Sequence, residues 1–280
     1  MEEIYNKLQT VTVPTASIAC MIISGLLSVA VPVLIAIYLR KKYNCNLKCF
    51  LIGALVWIVF AKILEAVAHY IVLFKSPAGA TIQGNLWMYA LYGGLMAGLF
   101  EEVGRFVGMH YFLKDCRDND RNSLMYGAGH GGIEAIILVG LGMLQNIAVS
   151  FQINNRALGP SYEVLKTLPE EQGIASLNSL FQLVDAEPYL FLTGMVERIP
   201  AIAFHIALSV LVWKAVKEKK VLYLILAILF HFILDAAAVL ITGVTDNVVA
   251  IEGFIYAMSA VIICVIVLLT RKKKEEAVTV

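Results

Sequence analysis

Charge is scarce in this chain: 15% of its 280 residues are Asp, Glu, Lys or Arg, while 60% are apolar and the mean hydropathy is +0.79. Soluble domains carry about 25% charged residues, so a water-soluble fold is excluded and a multi-pass protein of the cell membrane is the reading that remains. With 22 basic against 21 acidic side chains, there is no basic field to attract nucleic acid. The five cysteines, Cys20, Cys45, Cys49, Cys116 and Cys264, form no disulfide framework, and Cys45 and Cys49 lack the companion histidines of a zinc site. Met1 to Gln9 carries two glutamates and one lysine in place of a basic leader, so the first apolar helix is expected to be retained. No internal repeat is visible, which removes support for an inverted-repeat transporter.

What the chain has in quantity is apolar runs long enough to cross a bilayer, each of about 20 residues or more. Seven are read, at approximately 15–39, 50–74, 86–113, 124–150, 189–213, 221–243 and 248–270. Basic residues gather after the first, third, fifth and seventh runs: Arg40, Lys41, Lys42 and Lys48; Lys114, Arg117 and Arg121; Lys214, Lys217, Lys219 and Lys220; Arg271 to Lys274. The positive-inside rule then puts the N-terminus outside and the C-terminus in the cytoplasm. The expected fold is all-α: one polytopic membrane helix bundle over residues 1–280, with about seven transmembrane helices. The longest connection, 151–188, reads as an outer loop in which Ile174, Leu177, Leu180, Phe181 and Val184 recur at amphipathic-helix spacing.

The few charges are concentrated inside the runs, where each costs roughly 2.5 to 3.5 kcal/mol at mid-bilayer and is a functional candidate for that reason. The third run holds Glu101, Glu102 and Arg105; Glu101 and Arg105, four apart, share a helix face, so one glutamate can pair with the arginine and the other can hold a water. The same run has glycines at 94 and 98 and at 104 and 108, spacings that admit close helix approach. The fourth run places His130 and Glu134 on one face among Gly127, Gly129, Gly131 and Gly132, bare backbone that suits either tight packing or a substrate strand. His205 lies in the fifth run after Pro200, and the sixth has His231 and Asp235 at another four-residue spacing. Lys62, Glu65 and His69 form a polar stripe on the second run, read as a Lys–Glu pair between helices. The seventh run has no lysine, which argues against a retinal Schiff base. Counted from the cytoplasmic ends, Glu101, His130, His205 and His231 fall in one layer roughly 10 to 18 Å deep.

A carboxylate beside an arginine, with several histidines and a further acid on separate helices, has the parts needed for hydrolysis. One group is a general base toward water, and others donate to the developing oxyanion. The paired glutamates with a downstream arginine (Glu101, Glu102, Arg105), the aromatic four residues before a histidine (Tyr126, His130) and the histidine four before an acid (His231, Asp235) together resemble the YhfC-type members of the glutamic intramembrane proteases. That broad group includes the type II CAAX prenyl proteases. The resemblance implies that Glu101 activates water, His130 shares it, His231 and Asp235 support the oxyanion and Arg105 fixes the glutamate pair. This chain has two residues between Glu102 and Arg105 where the group has three, which leaves open whether Glu101 or Glu102 is the base. Glu134 and His205 join the candidate site on depth and spacing alone.

The expected activity is therefore an intramembrane endopeptidase acting on a membrane-protein or lipidated peptide substrate, with no cofactor required. A zinc-dependent variant, with His130, Glu134, His205 and His231 as donors, is the alternative within that class. A proton-coupled transporter or channel using the Glu, His and Asp relay is the alternative outside it.

Overall fold

The structure is a computed structural model that describes residues 1–271; Lys272 to Lys274 of the basic tail lie outside the described residues. Among the described residues every regular element is a helix. In chain order these are α1 (Glu2–Leu8), α2 (Thr15–Tyr43), α3 (Leu47–Lys75), α4 (Gly79–Gln83), α5 (Leu86–Val107), α6 (Asn122–Asn154), α7 (Gly159–Leu165), α8 (Glu170–Ser179), α9 (Phe181–Asp185), α10 (Leu190–Glu218), α11 (Val221–Thr242) and α12 (Val248–Thr270). Asparagines set three of the starts: the side chains of Asn46, Asn85 and Asn247 accept from the backbone N–H of Lys48, Met88 and Ala250 at 2.9, 3.0 and 3.2 Å. Each satisfies one of the donors that a helix N-terminus leaves open.

Six of these helices, α2, α3, α6, α10, α11 and α12, are long and apolar enough to cross a membrane. Their outward faces expose many large apolar side chains, Leu26 and Leu51 at 66% among them, surface that suits contact with lipid. The third expected run forms α5, continued by a π turn at Gly108–Phe112. Its 22 residues are long enough, at about 1.5 Å each, but Glu101, Glu102 and Arg105 make it less apolar than the six.

The chain divides into two compact units, Met1–Val31 with Ala135–Arg198, and Pro32–Glu134 with the chain from Ile199 onward. In the first, α8 and α9 of the 151–188 segment bring Leu177 and Leu183 into a core with Leu8, Val13, Ile18, Met21, Ile153 and Phe191. Asn154 ties that segment to the N-terminal stretch, accepting from Val13 N–H at 2.7 Å and donating to its carbonyl at 3.1 Å.

In the second unit, α5 packs along α11 through its glycines. A Cβ at Gly94 would stand 2.6 Å from the carbonyl oxygen of Phe232, and one at Gly98 2.8 Å from that of Ile228. The glycines around His130 do the same work for α6: a Cβ at Gly129 would lie 2.0 Å from the Phe50 carbonyl oxygen, and one at Gly127 2.5 Å from Ile206 Cα. Of the two uses open to that bare backbone, the structure takes tight packing. Helices drawn this close bring their side chains within hydrogen-bond reach of one another.

Candidate active site

All eight candidate residues belong to the second unit, on four helices: Glu101, Glu102 and Arg105 on α5, His130 and Glu134 on α6, His205 on α10, His231 and Asp235 on α11. They form one connected cluster. Arg105 Nη1 donates to both carboxylate oxygens of Glu102, at 2.7 and 2.8 Å, with both side chains fully buried. Glu102 also accepts from His231 Nδ1–H at 2.7 Å, and the other ring nitrogen of His231 stands 3.5 Å from the Asp235 carboxylate. Arg105 Nη2 donates to His205 Nδ1 at 3.1 Å, while His205 Nε2–H points at Glu134, 2.5 Å away. Arg105 thus addresses His205 through Nδ1, and Glu134 stands beside its other ring nitrogen.

Glu101 is held differently. Its Oε2 accepts from His130 Nε2–H at 2.9 Å and lies 3.9 Å from His205 Nδ1. The four-residue spacing allowed Glu101 to pair with Arg105, but the arginine chooses Glu102, three residues back, because Glu102 also faces α11 and shares the His231 contact. The carboxylate that keeps uncommitted capacity is therefore Glu101. Asp235 is the open edge of the cluster, with a side chain 38% exposed against 10% or less for Glu101, Glu102, Arg105, His130, His205 and His231.

Three buried polar atoms in this region have no hydrogen-bond partner: His130 Nδ1, Arg105 Nε and the Tyr126 hydroxyl. Tyr126 stacks on His130 with ring centroids 6.1 Å apart, and the missing side chain of Gly108 makes room for its hydroxyl. Burying such a group without a polar partner costs about 1 to 3 kcal/mol.

One set of metal donors converges among the described residues: Glu101, His130 and His205, each offering an atom within 4.8 Å of the others. This differs from the sequence expectation of His130, Glu134, His205 and His231. Glu134 lies behind His205, and His231 is turned to Glu102 and Asp235. Two imidazoles and one carboxylate, with a second carboxylate orienting an imidazole from behind, fit a divalent ion of the zinc class. Binding it would require Arg105 to give up the His205 lone pair while keeping its two bonds to Glu102.

The polar stripe of α3 departs from expectation. Lys62 does not pair with Glu65; its ammonium lies over the Trp57 ring, 5.7 Å from the centroid. Glu65 is buried and accepts from His69 Nε2–H at 3.2 Å, and His69 Nδ1 accepts from the Tyr92 hydroxyl at 2.9 Å. The reason is local: Ile58–Glu65 is wound as a π-helix, in which side chains three apart no longer stack. Nothing in residue spacing signals that winding.

Compared with known proteins, residues 27–255 match the family described as YhfC intramembrane metalloprotease. The chain is also 36% identical over 240 residues to the uncharacterized membrane protein YhfC of Bacillus subtilis (strain 168), covering 85% of this chain and 90% of that protein. No solved structure matches. The matched residues include every member of the cluster, and the chain belongs to the YhfC intramembrane metalloprotease family.

Proposed function

We propose that this protein is an intramembrane endopeptidase in which Glu101 activates a water for attack on a peptide bond. The observation that carries the reading is the division of labour between adjacent glutamates: Glu102 is taken up by Arg105 and His231, and Glu101, 2.9 Å from His130, is left to receive a proton. Water held by Glu101, on the side away from its bond with His130, adds to the carbonyl carbon and gives its proton to Glu101. The carbonyl becomes an oxyanion within reach of His231, whose N–H beside Asp235 is the donor offered there. When the C–N bond breaks, Glu101 returns the proton to the leaving amine. Arg105 and Glu134 hold His205 against this centre, and burial strengthens each of these interactions.

A second reading is favoured by the convergence of Glu101, His130 and His205 and by the family description: the three would hold a divalent ion. Such an ion supplies Lewis acidity and brings a bound water near neutral acidity. In that case too Arg105 and Glu102 set the charge balance, and His231 faces the oxyanion.

The proposed orientation places the C-terminus in the cytoplasm, supported by the basic connections, and the proposed substrate is a membrane protein or lipidated peptide. The test compares new protein termini in membranes of cells expressing the parent or Glu101→Gln, each with and without a chelator. Termini that need Glu101 and persist under chelator support the glutamate mechanism, and termini lost in both arms support the metal. Termini unaffected by Glu101→Gln overturn Glu101 as the water-activating group, and termini unaffected by Glu101→Gln with Glu102→Gln overturn the peptidase reading.

A further inference from the structure

His231 has the oxyanion role in the proposed mechanism, yet its polar contacts hold firmly at one end of its ring only. Nδ1 is 2.7 Å from Glu102, which is fully buried and itself bonded to Arg105. Nε2 is 3.5 Å from Asp235, a longer contact to the most exposed carboxylate of the cluster. The outer torsion of a histidine is broad, so a ring tied at one end rocks about that tie unless something lies against it. Phe204 of α10 lies there. Its ring stands at 90° to the His231 imidazole with centroids 5.6 Å apart, and it meets His205, the next residue along α10, at 6.0 Å and 62°. Both are edge-to-face contacts, the packing that aromatic rings favour. Phe204 is 2% exposed and belongs to the core that holds Leu208, Leu211 and Leu234, so its own ring has little room to turn.

We propose that Phe204 is a positioning residue that holds the His231 ring in the plane joining Glu102 to Asp235. The inference deepens the peptidase reading and rests on it for its consequence in turnover. The rest of the seat is consistent with that role. The His205 imidazole is 5.5 Å from His231 at 69°, and the bare backbone of Gly98 on α5 runs beside it, where a Cβ would stand 3.6 Å from the His231 Cβ. Glycine backbone sets how closely α11 approaches but presents no flat surface to an imidazole, and the ring of Phe204 does. Because Phe204 and His205 are consecutive on one helix, the same turn of α10 that brings His205 to Arg105 and Glu134 brings Phe204 to His231. Phe204 has no proton to give or take, so it acts on the reaction through the imidazole.

The test uses the full chain in lipid nanodiscs with its five histidines labelled with 15N, and the ring signals of His231 are identified by their loss in His231→Gln. Phe204→Leu keeps an apolar side chain but removes the ring. It is expected to broaden or double the His231 signals, as a rocking imidazole does. Phe204→Tyr, which keeps the ring, and Phe191→Leu, which removes a ring from the core of the other unit, are expected to leave a single sharp set. If Phe204→Leu does not fold, Phe204→Met, whose flexible chain fills irregular space, takes its place. A single sharp set in the folded variant without the ring overturns the inference. Equal broadening in Phe204→Tyr or Phe191→Leu also overturns it, because the effect is then one of general loosening. On a substrate identified by its Glu101-dependent termini, Phe204→Leu is expected to lower kcat about tenfold with KM within twofold, and Phe204→Tyr to stay close to the parent. That loss is a fraction of the roughly 100- to 1,000-fold that removing one oxyanion donor costs. Broadened His231 signals together with termini that ignore Glu101→Gln with Glu102→Gln keep the positioning and remove the peptidase reading. A parent-like kcat in Phe204→Leu where Glu101→Gln is inactive removes the link to turnover alone.

Discussion

Arg105 is the residue on which the cluster's charge balance depends. It is fully buried, bonds both oxygens of Glu102 and reaches His205 on another helix. Removing one member of a buried pair leaves an uncompensated charge, costing about 3 to 5 kcal/mol. Arg105→Gln is therefore expected to unfold markedly earlier than the parent in detergent micelles. Arg105→Gln with Glu102→Gln should recover part of that loss, because no lone charge is then buried; equal losses for single and double variants would mean that the pair is not what holds the cluster. Arg105→Lys keeps the charge but has no planar fork for two oxygens, so it is expected to fall between parent and Arg105→Gln in the same melt. The sequence made the cluster's membership readable, because each charge in an apolar run needs a reason. It left the pairing open, since Glu101 and Glu102 are both within reach of Arg105 along one helix. The contact with His231, a residue 129 positions away in the chain, decides it.

Among elements, the glycine-rich faces of α5 and α6 account for how four helices come close enough to share one cluster. Substitution should separate glycines by what they face. Gly129→Ala would place a methyl 2.0 Å from a backbone oxygen, whereas Gly93 and Gly142 have open space. The expected result is a strongly lowered melting temperature and lost activity for Gly129→Ala, and parent-like behaviour for Gly93→Ala and Gly142→Ala. Replacing the α5 cap, Asn85→Ala, is expected to cost about 1 kcal/mol, read from the same melts, without moving the cluster a further turn down the helix. The spacing of Gly94 and Gly98 announced close packing, and the partner helix, α11, was beyond its reach. The π winding in α3 was not legible either, and with it went the expected Lys62 to Glu65 pair. A π turn is set by what packs against the helix, and the sequence of Ile58–Glu65 has no glycine or proline to mark one.

For the whole molecule, the number of crossings turns on α5. Six helices are apolar enough to span by themselves, and α5 is the expected seventh, made less apolar by the charges it carries into the cluster. Those charges satisfy one another and α11, which lowers the cost of placing the helix in a bilayer. Reporter fusions at Gly84 and Asp118 are expected to lie on opposite sides of the membrane. Reporters on the same side would leave α5 as a non-crossing helix and overturn the seven-span plan. The sequence by itself determined that this is a multi-pass helical membrane protein with a layer of Glu, Arg, His and Asp inside its apolar runs, because placing charge in such runs is too costly to be incidental. Only the tertiary structure decided which glutamate Arg105 neutralises, which three donors converge and what the glycines pack against. Each of those is a contact between helices distant in the chain, and periodicity fixes the face a residue occupies but not the helix that meets it.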